Sequence, residues 1–102
     1  MVLGMLIHVL YFQNIINMSR EEILSELKKV LAPYTTNKEM LDNISEQTDM
    51  IKDLKINSAN LIDIIIDAEA KYNIEIDNDS AEKITNVSTC IDVIIEKLNQ
   101  NK

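Results

Sequence analysis

At 102 residues the chain has room for one small domain with one core, and it is short for a catalytic domain with its own substrate cleft. Hydrophobic content of 46% with one Gly, one Pro, three Tyr and one Phe speaks for helices packed through aliphatic side chains, because all-β domains need more turn formers and aromatics. The formal charge of −7, from 17 acidic against 10 basic residues, disfavours nucleic acid and anionic membrane surfaces and favours basic protein surfaces as partners.

The first seventeen residues, MVLGMLIHVLYFQNIIN, carry none of this charge and are mostly apolar. They lack a basic n-region and a small-residue cleavage site, and they are short for a membrane span. The next residues read as an independent beginning, since Ser19 followed three residues later by Glu22 is a capping box directly after Met18. The expectation is a domain over 18–102 with Met18 as its natural start, preceded by an apolar, non-native or disordered extension over 1–17. The alternative is a native hydrophobic arm that covers the bundle or a partner. Leu10-Tyr11-Phe12-Gln13 also resembles part of a protease-cleavage tag.

From Arg20 to about Ala32, the apolar residues Ile23, Leu24, Leu27, Val30 and Leu31 follow the spacing of an amphipathic helix, with Lys28 and Lys29 near its C-terminal end. Pro33 should stop it. A long connection follows over Tyr34 to Asn57, in which Lys38 to Ile44 has the pattern for a turn or two of helix. Met50, Ile51, Leu54 and Ile56 are its expected anchors to the core. A connection of this length inside a compact domain is usually functional.

The second long helix is expected from about Ser58 to Tyr72 with Asn57 as N-cap. At about 100° per residue, Leu61, Ile65, Ala68 and Tyr72 form the core stripe with Ile62 beside it, while Asn60, Asp63, Asp67 and Lys71 form a solvated face. Between them runs a strip of Ala59, Asp63, Ile66 and Ala70, descending from Ser58 and suited to contact with a partner. Asn73 to Asp77 reads as an extended connection with Ile74 and Ile76 turned inward, and Ser80 to Ile84 as a short third helix. Asn86 should cap a fourth helix over Val87 to Asn99, whose core positions are Val87, Cys90, Ile91, Ile94, Ile95 and Leu98, followed by a frayed tail.

Catalysis by the chain itself has little support. His8 is the only histidine and lies in the apolar extension, so no general base of the usual kind stands ready to activate Ser58 or Cys90. One cysteine cannot form an internal disulfide, and no paired metal-ligand spacing occurs, so the chain reads as cytoplasmic and metal-free. A serine in a first helical turn is usually no more than a local cap, but an anion attached there would lie at the positive helix end, worth roughly 0.3–1 kcal/mol.

Spacing around that serine adds a resemblance. Asp49-Met50-Ile51-Lys52-Asp53-Leu54 before Asn57-Ser58, then Ala68 to Ile76, Ala81 to Val87 and Ile91-Asp92 occur in an order and at intervals that resemble the acyl carrier protein family, covering roughly half of the chain. The resemblance implies an all-α, four-helix bundle with a long loop between helices one and two and a short third helix. It also implies a non-catalytic, monomeric carrier of fatty acid or related lipid and polyketide biosynthesis. In that family the serine at the position of Ser58 receives 4′-phosphopantetheine from coenzyme A through a Mg²⁺-dependent phosphopantetheinyl transferase, and the terminal thiol then carries acyl groups as thioesters. The implied docking residues are Asn57, Ala59, Ile62, Asp63, Ile66, Asp67 and Glu69, read by loading, condensing and modifying enzymes with basic and apolar patches.

The chain departs from the family pattern at three places beside the serine. Asn57-Ser58-Ala59 stands where Asp-Ser-Leu is usual, and Lys55 stands where glycine is common. With Ala70 in place of an acidic residue, the docking strip should rely more on apolar contact and show weaker salt dependence. Two other readings remain: an aminoacyl or peptidyl carrier loaded by an adenylating enzyme, or an unmodified carrier-like interaction module. Ile62, Ile65, Ile91 and Ile95 are the residues expected to line any space for an acyl chain.

Overall fold

The computed structural model describes residues 18–100. The expectations for the extension over 1–17 and for residues 101 and 102 lie outside the described residues. Helix α1 spans Arg20–Leu31 and opens on the expected capping box: the Glu22 N–H donates to the Ser19 hydroxyl at 3.2 Å, and the Ser19 N–H donates to the Glu22 carboxylate at 3.1 Å. Ile23, Leu27 and Leu31 bury its inner face. Pro33 does not end the chain's helical course at once, because a 3₁₀ turn over Ala32–Tyr34 follows. Pro33 fits there because the first positions of a helix have no N–H partner to lose.

The long connection is ordered by side chains that satisfy its backbone. A short helix α2, Lys38–Asp42, begins where Asn37 Oδ1 accepts the Met40 N–H, and the Asn37 amide donates onward to the Asp53 carbonyl at 3.0 Å. The Thr35 hydroxyl donates to the Leu54 carbonyl. Met50, Leu54 and Ile56 are buried as anchors, but Ile51 is not: it is 45% exposed. Asp49 Oδ1 accepts the N–H groups of both Ile51 and Lys52, starting a turn that carries Met50 and Leu54 inward and Ile51 out. The loop is clipped to the next layer by the Val87 N–H on the Thr48 carbonyl at 3.0 Å and by a bridge between Asp49 and Asn86.

Helix α3 spans Asn60–Tyr72 and ends on Asn73 in the left-handed conformation at φ 53°. Its deep face is Ile64, Ala68 and Tyr72, with Leu61 and Ile65 half-buried against the core. Ile62, expected to flank the core, is 65% exposed, and Ile64 takes the central place instead. Ile74 is buried and Ile76 half-buried in the connection to α4, which covers Asn78–Glu82. That helix starts two residues earlier than expected, behind the N-cap Asp77, whose carboxylate accepts the buried Ser80 hydroxyl at 2.7 Å and the Lys97 ammonium at 2.9 Å.

Helix α5 spans Val87–Gln100, continuing past the expected end. Asn86 Oδ1 caps the Thr89 N–H at 2.9 Å, and Thr89 Oγ1 accepts the N–H groups of Thr85 and Asn86 in return. Val87, Cys90, Ile91, Ile94 and Leu98 are buried as expected; Ile95 is half-buried, and Val93 joins the core. The three long helices α1, α3 and α5 pack on one another, so the expected all-α bundle is present, with α2 as an added short helix in the loop. Arg20 locks its corners: the guanidinium donates to Glu46 and Asp92, each at 2.7 Å, joining α1, the loop and α5. Those two carboxylates raise the Arg20 pKa, and the pairing with Arg20 holds Glu46 below the usual carboxylate value.

Candidate functional site

Ser58 lies in the turn that opens α3, two residues before the first regular helical residue rather than within the helix. The cause is local. Asn57 Oδ1 accepts the Ala59 N–H at 2.9 Å, the Asn57 carbonyl accepts the Asn60 N–H at 2.8 Å, and the Ser58 carbonyl accepts the Leu61 N–H at 3.2 Å. The asparagine therefore caps as expected, but it caps a tight preliminary turn. Three of the N–H groups expected to be free for an anion are consumed in forming it. Ser58 is exposed, and its hydroxyl has no hydrogen-bond partner among the described residues.

Over the next three turns, Ile62 is 65% and Ile66 54% exposed, and Asp63 and Ala70 are exposed with them. Ala59, Ile62, Asp63, Ile66 and Ala70 fall within an arc of about 100° on the helix. This strip was expected to lie between the core and a solvated face; it is instead the outermost face of α3. The expected solvated face is exposed at Asp63, Asp67 and Lys71, and its Asp67 and Lys71 edge lies toward α1. There the Lys71 ammonium lies 3.7 Å from Glu26, and the Tyr34 hydroxyl donates to Asp67 Oδ2 at 2.7 Å, a bond that raises the Tyr34 pKa.

Of the expected docking residues, the structure brings together Asn57, Ala59, Ile62, Asp63 and Ile66, all exposed. Asp67 is exposed at the edge of this group, and Glu69 lies apart from it. Asp67 is held by Tyr34, and Glu69 is half-buried with its carboxylate accepting the Ile76 N–H at 2.8 Å. Glu69 thus fastens the connection after α3. Tyr34 was not singled out from the sequence; its place beside a proline-containing turn at the end of α1 gave no pattern that pointed to Asp67.

Beneath the site lies an apolar cavity of about 20 Å³, lined by Met50, Leu61, Ile64, Ile65, Ile84 and Cys90 among others. That volume suits about one water molecule. Of the four residues expected to line space for an acyl chain, only Ile65 does so; Ile62 points outward, and Ile91 and Ile95 pack elsewhere. Burial pushes the Cys90 thiol up to about 12 and leaves it a poor nucleophile. At the C-terminal end of α3, burial and the hydrogen bond from its hydroxyl to Glu26 raise the Tyr72 pKa, consistent with a structural hydroxyl. Among the described residues no group of His, Cys, Asp and Glu side chains is arranged to hold a metal ion, and no helix is long and apolar enough to cross a membrane.

Comparison with known proteins gives a consistent set. The chain is 31% identical over 80 residues to an acyl carrier protein of Thermotoga maritima, covering 78% of this chain and 96% of that one. It is 35% identical over 78 residues to an acyl carrier protein of Lactobacillus acidophilus, covering 76% of this chain and 94% of that one. The solved structure of an acyl carrier protein from Enterococcus faecalis superposes with a TM-score of 0.63 at 26% identity, covering 78% of this chain and 99% of that one. No family model matches the chain.

Proposed function

The chain belongs to the acyl carrier protein family, and from that membership we propose that it carries acyl intermediates as thioesters on a 4′-phosphopantetheine arm attached to Ser58. The observation that carries this reading is the Ser58 hydroxyl at the opening of α3, exposed and without a hydrogen-bond partner among the described residues, one to two turns ahead of the exposed Ile62, Asp63 and Ile66. In the transfer, the Ser58 oxygen attacks the β-phosphorus of coenzyme A and the pyrophosphate bond breaks. Adenosine 3′,5′-bisphosphate leaves, and the serine proton passes to the transferase. When bound, the arm supplies a thiol that forms thioesters. This chain's own residues do the rest: they present the serine on a pinned loop and offer a strip for partner enzymes to read.

The partners in this reading are a phosphopantetheinyl transferase and the enzymes that load, condense and modify the acyl group, in the cytoplasm and in fatty acid or related lipid synthesis. The carrier works as a monomer and performs no chemistry itself. Asp67 and Glu69 flank the strip: Asp67 is exposed with its carboxylate accepting from Tyr34, and Glu69 is half-buried with its carboxylate on the Ile76 N–H. The direct test is to incubate the apo protein with coenzyme A, Mg²⁺ and a broad-specificity transferase and record intact mass beside Ser58→Ala. The expected result is a gain of one phosphopantetheinyl group in the wild type and none in the variant. No gain in either marks an unmodified interaction module, and equal gain in both moves the attachment elsewhere.

A further inference from the structure

Lys55 holds a backbone conformation that is costly for any residue with a Cβ. Its φ is 57°, in the left-handed region that glycine enters freely. The conformation is imposed from both sides. Leu54 and Ile56 are buried, their N–H groups each donate at 3.1 Å to the carbonyls of Asp49 and Met50, and the Leu54 carbonyl accepts the Thr35 hydroxyl. The loop turns at this position whichever residue stands there.

Nothing inside the fold offsets that cost. Lys55 is exposed, and its ammonium makes no ion pair or hydrogen bond among the described residues. Asp49 and Asp53, earlier in the loop, hold the backbone instead: Asp49 accepts the N–H groups of Ile51 and Lys52, and Asp53 accepts the N–H of Asp49. Lys52 adds a second exposed ammonium to the same loop, likewise without an ion pair among the described residues. On a chain of net charge −7, the approach to Ser58 therefore has a positive end. Three peptide units separate Lys55 from Ser58, so their Cα atoms are at most about 11 Å apart, within the footprint of any enzyme that reaches the serine hydroxyl.

Building on the reading of Ser58 as the attachment site, we propose that Lys55 is a specificity-determining residue for its modification, selecting a transferase that presents a carboxylate toward the loop and disfavouring one that presents a cation there. A charge at the rim of a contact acts on encounter and binding, so its effect falls on KM, and salt screens it. Because arginine, glutamine and glutamate share lysine's Cβ, exchanging them alters charge while leaving the cost of the left-handed backbone in place.

The test follows phosphopantetheine transfer from coenzyme A by the transferase of the protein's own host, at low salt and at ~0.5 M salt. The substrates are wild type, K55R, K55Q and K55E, each checked for an unchanged melting temperature. The expected result is an unchanged KM for K55R, a rise of about two- to fivefold for K55Q, the scale of one exposed charge pair, and a larger rise for K55E. kcat stays constant, and the spread closes at high salt. A flat KM series at low salt, a lower KM for K55E, or modification by a broad-specificity transferase alone overturns the role of Lys55. If neither enzyme modifies the wild type, the Ser58 reading falls first and this proposal with it.

Discussion

Ile62 and Ile64 are the same residue two positions apart on α3, yet one is 65% exposed and the other 2%. The inward face of this helix, Ile64, Ala68 and Tyr72, is closed by α1, α5 and the loop, whereas the outward face of Ala59, Ile62, Asp63 and Ile66 is exposed among the described residues. The difference teaches that an aliphatic side chain on this helix has two separate uses: inside it holds the bundle, and outside it is available to another protein. An exposed aliphatic strip next to an exposed serine is where the chain gives up burial for contact.

The sharpest way to break this contrast is by thiol chemistry. Burial raises the Cys90 pKa from 9.0 to about 12, so at pH 8 its alkylation should run roughly a thousandfold slower than that of an exposed thiol from the lost thiolate alone. An Ile66→Cys variant should react at the ordinary rate, as followed by mass spectrometry, and the Cys90 rate should climb with pH toward 12. Comparable rates for the two thiols would dissolve the distinction between the faces.

Next in size is the core itself. Ile64→Ala should cost about 3 kcal/mol in urea unfolding, with a clear fall in melting temperature. Tyr72→Phe keeps the ring and removes the hydroxyl that donates to Glu26 at 3.0 Å; the expected loss is about 1 kcal/mol. Ile62→Ala and Ile66→Ala should change stability by no more than about 0.5 kcal/mol, since exposure costs them little and alanine favours the helix. The same two variants should raise KM for partner enzymes, which Ile64→Ala, measured below its unfolding transition, should not. If Ile62→Ala proved as destabilising as Ile64→Ala, the outward face would be part of the core.

Much of the fold was legible because it rests on local signals. Ser19 with Glu22, Asn86 before Val87, and the three-and-four spacing of Val87, Cys90, Ile91, Ile94 and Leu98 each place a helix end or a face from a few neighbouring residues. Ser58 stood out for its position at a loop-to-helix junction and for the spacing around it. The misses lie where local signals are degenerate. Five of the residues from Leu61 to Ile66 are aliphatic, so periodicity alone could not choose between Ile62 and Ile64 as the deep position. Ile51 in the loop looked like an anchor by composition, but the Asp49 turn decides its direction.

Glu69 and Asp67 show the same limit for the candidate site. Both flank the docking strip by sequence, but their long-range partners were not visible there: the Ile76 N–H lies beyond the end of α3, and Tyr34 lies at the end of α1. Lys55 shows the reverse. Its departure from glycine was visible in the sequence, but its left-handed backbone was not, because that conformation comes from bonds of its neighbours to Asp49 and Met50.

The sequence by itself determined the helical class, the caps, the four principal helices and the junction serine, all of which depend on contacts within a few residues. Only the tertiary structure decided which isoleucines are core and which face outward, which carboxylates are free, and that the lysine before Ser58 is held in a strained turn. Those outcomes depend on what packs from elsewhere in the chain, and burial and hydrogen bonding across distant segments leave no periodic trace in the residues that receive them.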